Sequence, residues 1–131
     1  VRRKKDGYLA EIEKLCRQLQ EKTPKSQVVI VTGIIREQEG KEYIGNLAVL
    51  PEKSKEKEKT YYIESLYTGK SFSGTGDLFA SVVCGSMMKG LSAPEAVKKA
   101  TLFLQEAIKE ASEKDYPMVH GVHFEKYLCR L

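Results

Sequence analysis

Seven consecutive residues, Ser71-Phe72-Ser73-Gly74-Thr75-Gly76-Asp77, carry the types needed to hold an anion and to move a proton beside it. Gly74 and Gly76 flank Thr75 and let the backbone turn so that successive N–H groups point one way. The apolar stretch that follows reads as a helix, and a helix N-terminus adds unpaired N–H groups and a partial positive charge. Phosphate is the usual occupant of such a site. Asp77 would repel a bound phosphate in the ground state, so it makes chemical sense if it accepts the proton of an attacking hydroxyl. The amides would then stabilise charge building on a transferred phosphoryl group. A plainer reading stands beside this one. Gly-x-Gly-Asp before a helix is also a turn with an acid that suits the helix dipole, and taken alone the four residues favour it.

The elements around the loop must place it. Residues 8–21 carry apolar side chains at 8, 9, 12, 15 and 19, which is helical spacing. Pro24 cannot continue that helix. The β-branched run 27–32 predicts a strand buried on both faces of a parallel sheet, closed by Gly33. A helix leading into such a strand is half of a βαβ unit. Residues 42–50 and 60–66 predict a hairpin, with the charged stretch 51–59 as its exposed tip. Of the tyrosines Tyr61 and Tyr62, alternation expects one packed and one facing out. After a polar loop at 67–73, residues 77–89 form a helix with a wide apolar face, ended by Gly90. Ser92-Ala93-Pro94-Glu95 is a capping box opening a second helix to about 112. Residues 116–131 read as an extended piece and a short last helix.

Composition excludes several classes. With 131 residues, 41% hydrophobic and 31% charged, the chain suits one modest domain. No apolar run is long enough to span a bilayer, and the start Val1-Arg2-Arg3-Lys4-Lys5-Asp6 is not a secretory signal. The first residue is not Met, so the chain is expected to start inside a longer protein. The net charge of +4 is spread rather than gathered in a basic stripe, which argues against nucleic acid. Three cysteines without CxxC spacing, Cys16, Cys84 and Cys129, are expected as thiols in a reducing cytoplasm, with Cys16 and Cys84 buried in their helices.

Four segments in order resemble the pyridoxal kinase branch of the ribokinase-like superfamily. Val28-Val29-Ile30-Val31-Thr32-Gly33 is similar to the family's strand ending in Thr-Gly, and Tyr43-Ile44-Gly45-Asn46-Leu47-Ala48 to the hairpin strand after it. Ser71-Phe72-Ser73-Gly74-Thr75-Gly76-Asp77-Leu78-Phe79-Ala80 is very similar to the family signature, and Val122-His123-Phe124-Glu125 follows in the family's order. The resemblance covers essentially the whole chain. It implies an α/β fold, a three-layer α/β/α sandwich of which residues 1–131 would be the C-terminal nucleotide-binding and catalytic part, with parallel strands, a β-hairpin and two packed helices. It implies transfer of the γ-phosphoryl group of ATP to a hydroxymethyl group of pyridoxal, pyridoxine or pyridoxamine, as in vitamin B6 salvage. Asp77 would be the base, Gly74, Thr75 and Gly76 the anion hole, and Thr32 and Gly33 nucleotide-side residues. Mg²⁺ is expected on the phosphates rather than on a protein metal site, and a homodimer is implied. The family's N-terminal region, which carries most of the acceptor pocket, has no counterpart here, so the isolated chain is expected to be a poor catalyst.

Other readings remain. A hydroxymethylpyrimidine or sugar acceptor would use the same loop, and a truncated nucleotide-binding relative would share the fold. Asp77 separates the last from a catalyst. Thr68-Gly69-Lys70-Ser71 looks like the end of a Walker A loop, but Glu64 stands where its first glycine belongs, so Lys70 is read as a solvated lysine. His120 and His123 lack the partners of a metal site.

Overall fold

The computed structural model describes residues 7–23, 25 and 27–131. The basic start and Pro24 therefore lie outside the described residues. The order is α1 (Tyr8–Glu21), β1 (Val29–Gln38), β2 (Lys41–Val49), β3 (Thr60–Leu66), α2 (Thr75–Met88) and α3 (Ala93–Glu113), followed by two 3-10 turns, Met118–His120 and Glu125–Arg130.

Side-chain alternation along β2 explains the layering. Leu47 and Val49 point to one face, where they meet Ile12 and Cys16 of α1. Ala48 points to the other face, into a core built from Phe79, Val82 and Val83 of α2 and Val97, Ala100 and Leu104 of α3. The sheet is thus sandwiched between α1 and the α2–α3 pair, as the three-layer expectation requires. Tyr61 and Tyr62 correct their expectation. Tyr61 packs toward α2 and α3 and Tyr62 toward α1, because both faces are covered. Polar contacts pin α1 in place: Gln20 Nε2 donates to the Val49 carbonyl at 3.0 Å, and Arg17 to that of Leu50 at 2.6 Å. The predicted apolar stripe of α1 is only partly used, since Leu15 and Leu19 stay exposed.

The expected parallel strands are absent from the described sheet, which is antiparallel throughout in the order β1-β2-β3. Nor does Gly33 close the first strand. β1 passes through it by a bulge, with a register shift between Val31 and Ile34, and runs on to Gln38. The cause is the two-residue loop Glu39-Gly40. Its φ angles of 52° and 75° give the turn that folds β1 directly back on β2. Nor is the run buried on both faces as expected: Val28 to Val31 are half-buried and Gln27 and Thr32 exposed. A β-branched run reports a strand, not the direction of its neighbour.

The helical pair follows local signals closely. Glu95 accepts from the Ser92 N–H at 2.8 Å and from its hydroxyl at 2.7 Å, closing the start of α3. At the end of α2, Gly90 N–H bonds the Met87 carbonyl and Leu91 N–H that of Ser86, the pattern left by a left-handed glycine. Cys16 is buried as expected, but Cys84 is exposed because it falls on the outer side of α2. Among the described residues no helix is long and apolar enough to cross a membrane.

Candidate functional site

Residues 67–74 carry the chain from β3 to α2, and three anchors set their course. Phe72 is 3% exposed and sits in a small cluster with Ala107 and Ala111 of α3 and Val122 of the tail. Ser73 N–H donates to the Met118 carbonyl at 2.9 Å. Thr75 Oγ1 donates to the Phe72 carbonyl at 3.0 Å, tying the first turn of α2 to the loop before it. Lys70 is not simply solvated, as expected from sequence. Its ammonium lies 2.6 Å from Asp115 and holds that carboxyl below its usual range. Asp115 is largely exposed, so this pair contributes little to stability.

The tail that receives the loop is itself clamped. Glu110 of α3 accepts from Lys114 at 2.6 Å, Lys126 at 2.6 Å and Tyr127 at 2.7 Å. Those three donors hold its carboxyl down at about 2. A depressed carboxylate pKa stabilises the folded chain above the unfolded value, and that contribution is lost as pH falls toward about 2.

Gly121 brings the tail backbone close to the loop. Its φ of 75° and ψ of −157° belong to a region open almost only to glycine, and a Cβ there would lie 2.8 Å from the Ser73 carbonyl oxygen. Gly121→Ala is expected to cost about 1–3 kcal/mol of stability and to shift Ser73. Chemical denaturation checks this, and an unchanged midpoint would show that the tail does not shape the loop.

At the start of α2, Gly74 adopts φ 78°, and its carbonyl accepts from Leu78 N–H at 3.0 Å. The amides of Thr75, Gly76 and Asp77 occupy the first helical turn, where no earlier carbonyl of the helix can receive them. A Cβ on Gly76 would meet nothing within 4 Å, so the space beside this residue is open. The donor set fits a phosphate. No group of three His, Cys, Asp or Glu side chains able to hold an ion occurs among the described residues. A magnesium ion here would take its ligands mainly from the phosphates it accompanies.

A cavity of about 420 Å³ opens beside this turn, between the sheet and the α2–α3 pair. Thr32, Gly33, Thr75 and Gly76 all line it. The structure thus joins four of the residues singled out in the sequence, across more than forty positions of chain. Gly74 and Asp77 do not line it, and Asp77 is exposed. Helical rotation of 100° per residue accounts for the split. Phe79 and Thr75, four positions apart, share the cavity side of α2, while Asp77 between them looks away. The first turn of α2 therefore has the cavity on one side and a solvent-facing carboxylate on the other.

Among the lining residues that sequence reasoning did not single out for a site are Asn46 and Thr101, which bond each other. One local signal was present: Thr101 interrupts an otherwise apolar helix face with a buried hydroxyl.

A family model described as phosphomethylpyrimidine kinase matches residues 4–122. Among solved structures, a candidate phosphomethylpyrimidine kinase from Bacteroides thetaiotaomicron aligns with a TM-score of 0.73 at 29% identity, over 89% of this chain and 37% of that one. An orthorhombic crystal form described in the same terms, with pyridoxal, aligns with a TM-score of 0.65 at 30% identity, over 78% of this chain and 33% of that one. Pyridoxal kinase from Lactobacillus plantarum aligns with a TM-score of 0.71 at 20% identity, over 91% of this chain and 40% of that one, a likeness of fold alone. The chain spans between 33% and 40% of the length of these structures. No curated protein matches it significantly.

Proposed function

The chain belongs to the phosphomethylpyrimidine kinase family, and from that membership we propose that the protein transfers the γ-phosphoryl group of ATP to a hydroxymethyl group on a nitrogen heteroaromatic ring, with a vitamin B6 vitamer as acceptor. One observation carries the reading: Thr75 and Gly76, at the start of α2, line a single cavity with Thr32 and Gly33. We take residues 1–131 as the C-terminal, nucleotide-binding part of one ribokinase-like domain; a chain that spans 37% and 40% of two aligned structures is consistent with a part of such a domain.

Phosphoryl transfer runs in line, so donor and acceptor approach the transferred group from opposite sides. The cavity takes the nucleoside and its inner phosphates, with Thr32 and Gly33 at one wall. The amides of Gly74, Thr75 and Gly76 meet the equatorial oxygens, where charge develops during transfer. Asp77 faces away from the cavity, on the side left for the acceptor, and takes the proton of its hydroxyl. Magnesium bound to the phosphates would neutralise part of their charge.

The vitamer is preferred as acceptor because a relative at 30% identity was crystallised with pyridoxal. The family's description as phosphomethylpyrimidine kinase points to a second acceptor class, a pyrimidine, with hydroxymethylpyrimidine as the alternative to the vitamer. Transfer from ATP to pyridoxal, pyridoxine, pyridoxamine and hydroxymethylpyrimidine, measured with the complete protein, separates the two. Turnover of a vitamer is the expected result. Turnover of the pyrimidine alone would move the acceptor, and turnover of none would overturn the reading.

A further inference from the structure

The cavity walls are mostly apolar, with Ile44, Leu66, Leu104 and Ile108 among them, yet β2 places an amide there. Asn46 shares a face of β2 with Ala48, the face turned toward α3. Its Nδ2 donates to Thr101 Oγ1 at 3.0 Å. Thr101 is 6% exposed and spends its only proton on the Val97 carbonyl, 2.8 Å away and one helical turn back. Toward Asn46 the hydroxyl can therefore only accept. Rotating the amide by half a turn would set Oδ1 against an oxygen with no proton to offer. The amide is locked in one orientation.

A locked asparagine keeps two groups for a ligand, one N–H of Nδ2 and the acceptor Oδ1. No other hydrogen bond of this side chain is present among the described residues. The two remaining groups complement an edge that offers a donor beside an acceptor in fixed order. Adenine offers its amino group beside a ring nitrogen. Guanine reverses the order at the same two positions, with a carbonyl oxygen beside an N–H. A free amide would turn to suit either base, and a locked one cannot.

We propose that Asn46, oriented by Thr101, reads the base of the bound nucleotide and selects adenine over guanine. This rests on the nucleotide reading of the cavity given above. Asn46 contacts the base, whereas Thr101 is a positioning residue.

Calorimetric titration of the complete protein with ADP and with GDP tests it, using native protein, Asn46→Leu and Thr101→Val. The native protein is expected to prefer ADP by about 10- to 100-fold. Asn46→Leu is expected to weaken ADP binding by about tenfold or more and to bring the two affinities together. Thr101→Val unlocks the amide, so ADP binding persists while GDP binding tightens and the preference shrinks. A purely structural role for Thr101 would weaken both nucleotides alike. An unchanged ADP-to-GDP ratio in the folded variants, or a native preference for GDP, overturns the inference and leaves the nucleotide reading standing. Failure of the native protein to bind either nucleotide overturns the nucleotide reading itself. Thermal unfolding identifies a variant that does not fold, and the other variant then decides.

Discussion

Asp77→Asn is expected to lower kcat by about 10²- to 10⁴-fold, the usual worth of a positioned general base. The substitution keeps size and shape and removes only the charge and the proton affinity. Stability should barely respond. Asp77 is exposed, in the first turn of α2, and the loss of its interaction with the helix dipole amounts to about 0.3–1 kcal/mol. Nucleotide binding should hold or tighten, because a carboxylate near a phosphate site opposes the bound anion. The expected pattern is therefore a collapse of kcat without a rise in the KM for ATP. Steady-state kinetics on the complete protein, with unfolding curves alongside, check it. A variant that keeps near-full rate would remove Asp77 from the mechanism and return it to the role of a helix-start acid.

Phe72→Ala is expected to destabilise the protein by about 3–5 kcal/mol, the range for deleting a buried aromatic ring. The ring is 3% exposed in a cluster with Ala107, Ala111 and Val122, and Leu78, Ile108, Tyr116, Phe124 and Tyr127 pack against that cluster. How far these neighbours relax into the space the ring leaves sets where in the range the cost falls. The loss would reach the site too. Phe72 is the apolar anchor of the loop, and its carbonyl receives the Thr75 hydroxyl. Phe72→Leu should fall between native and alanine in both stability and activity. Chemical denaturation measures the first effect. A loss below about 1 kcal/mol, an ordinary value for point substitutions, would show that the loop is held by its hydrogen bonds rather than by this ring.

The two predictions mark where the sequence could be read and where it could not. The loop Gly74-Thr75-Gly76-Asp77 was legible because its chemistry is local: glycines, a helix start and a carboxylate within four positions. The ends of α2 and α3 were legible for the same reason, since Gly90 and the Ser92–Glu95 pair act within one turn. The hairpin of β2 and β3 also lay close to its expected bounds. The first strand was different. Its β-branched run promised burial on both faces, yet Val28 to Val31 are only half-buried and Thr32 is exposed, and Glu39-Gly40 turned the strand into a partner of β2 in an antiparallel sheet. That dipeptide carries the turn, while Gly33, also at positive φ, makes only a bulge. The half-used apolar stripe of α1 shows the same limit, for spacing reports a helix and not how much of its face is covered.

Among the residues of the site, the sequence by itself determined which could hold an anion and accept a proton, because those capacities belong to the residue types and their immediate neighbours. Tertiary structure decided what surrounds them. It brought Thr32 and Gly33 to the cavity of Thr75 and Gly76, turned Asp77 to the opposite side, set Gly121 against Ser73, and locked Asn46 onto Thr101 from 55 residues away. Contacts of that kind arise when helices and strands pack their apolar faces together, and no local pattern of residues records which distant partner a face will meet.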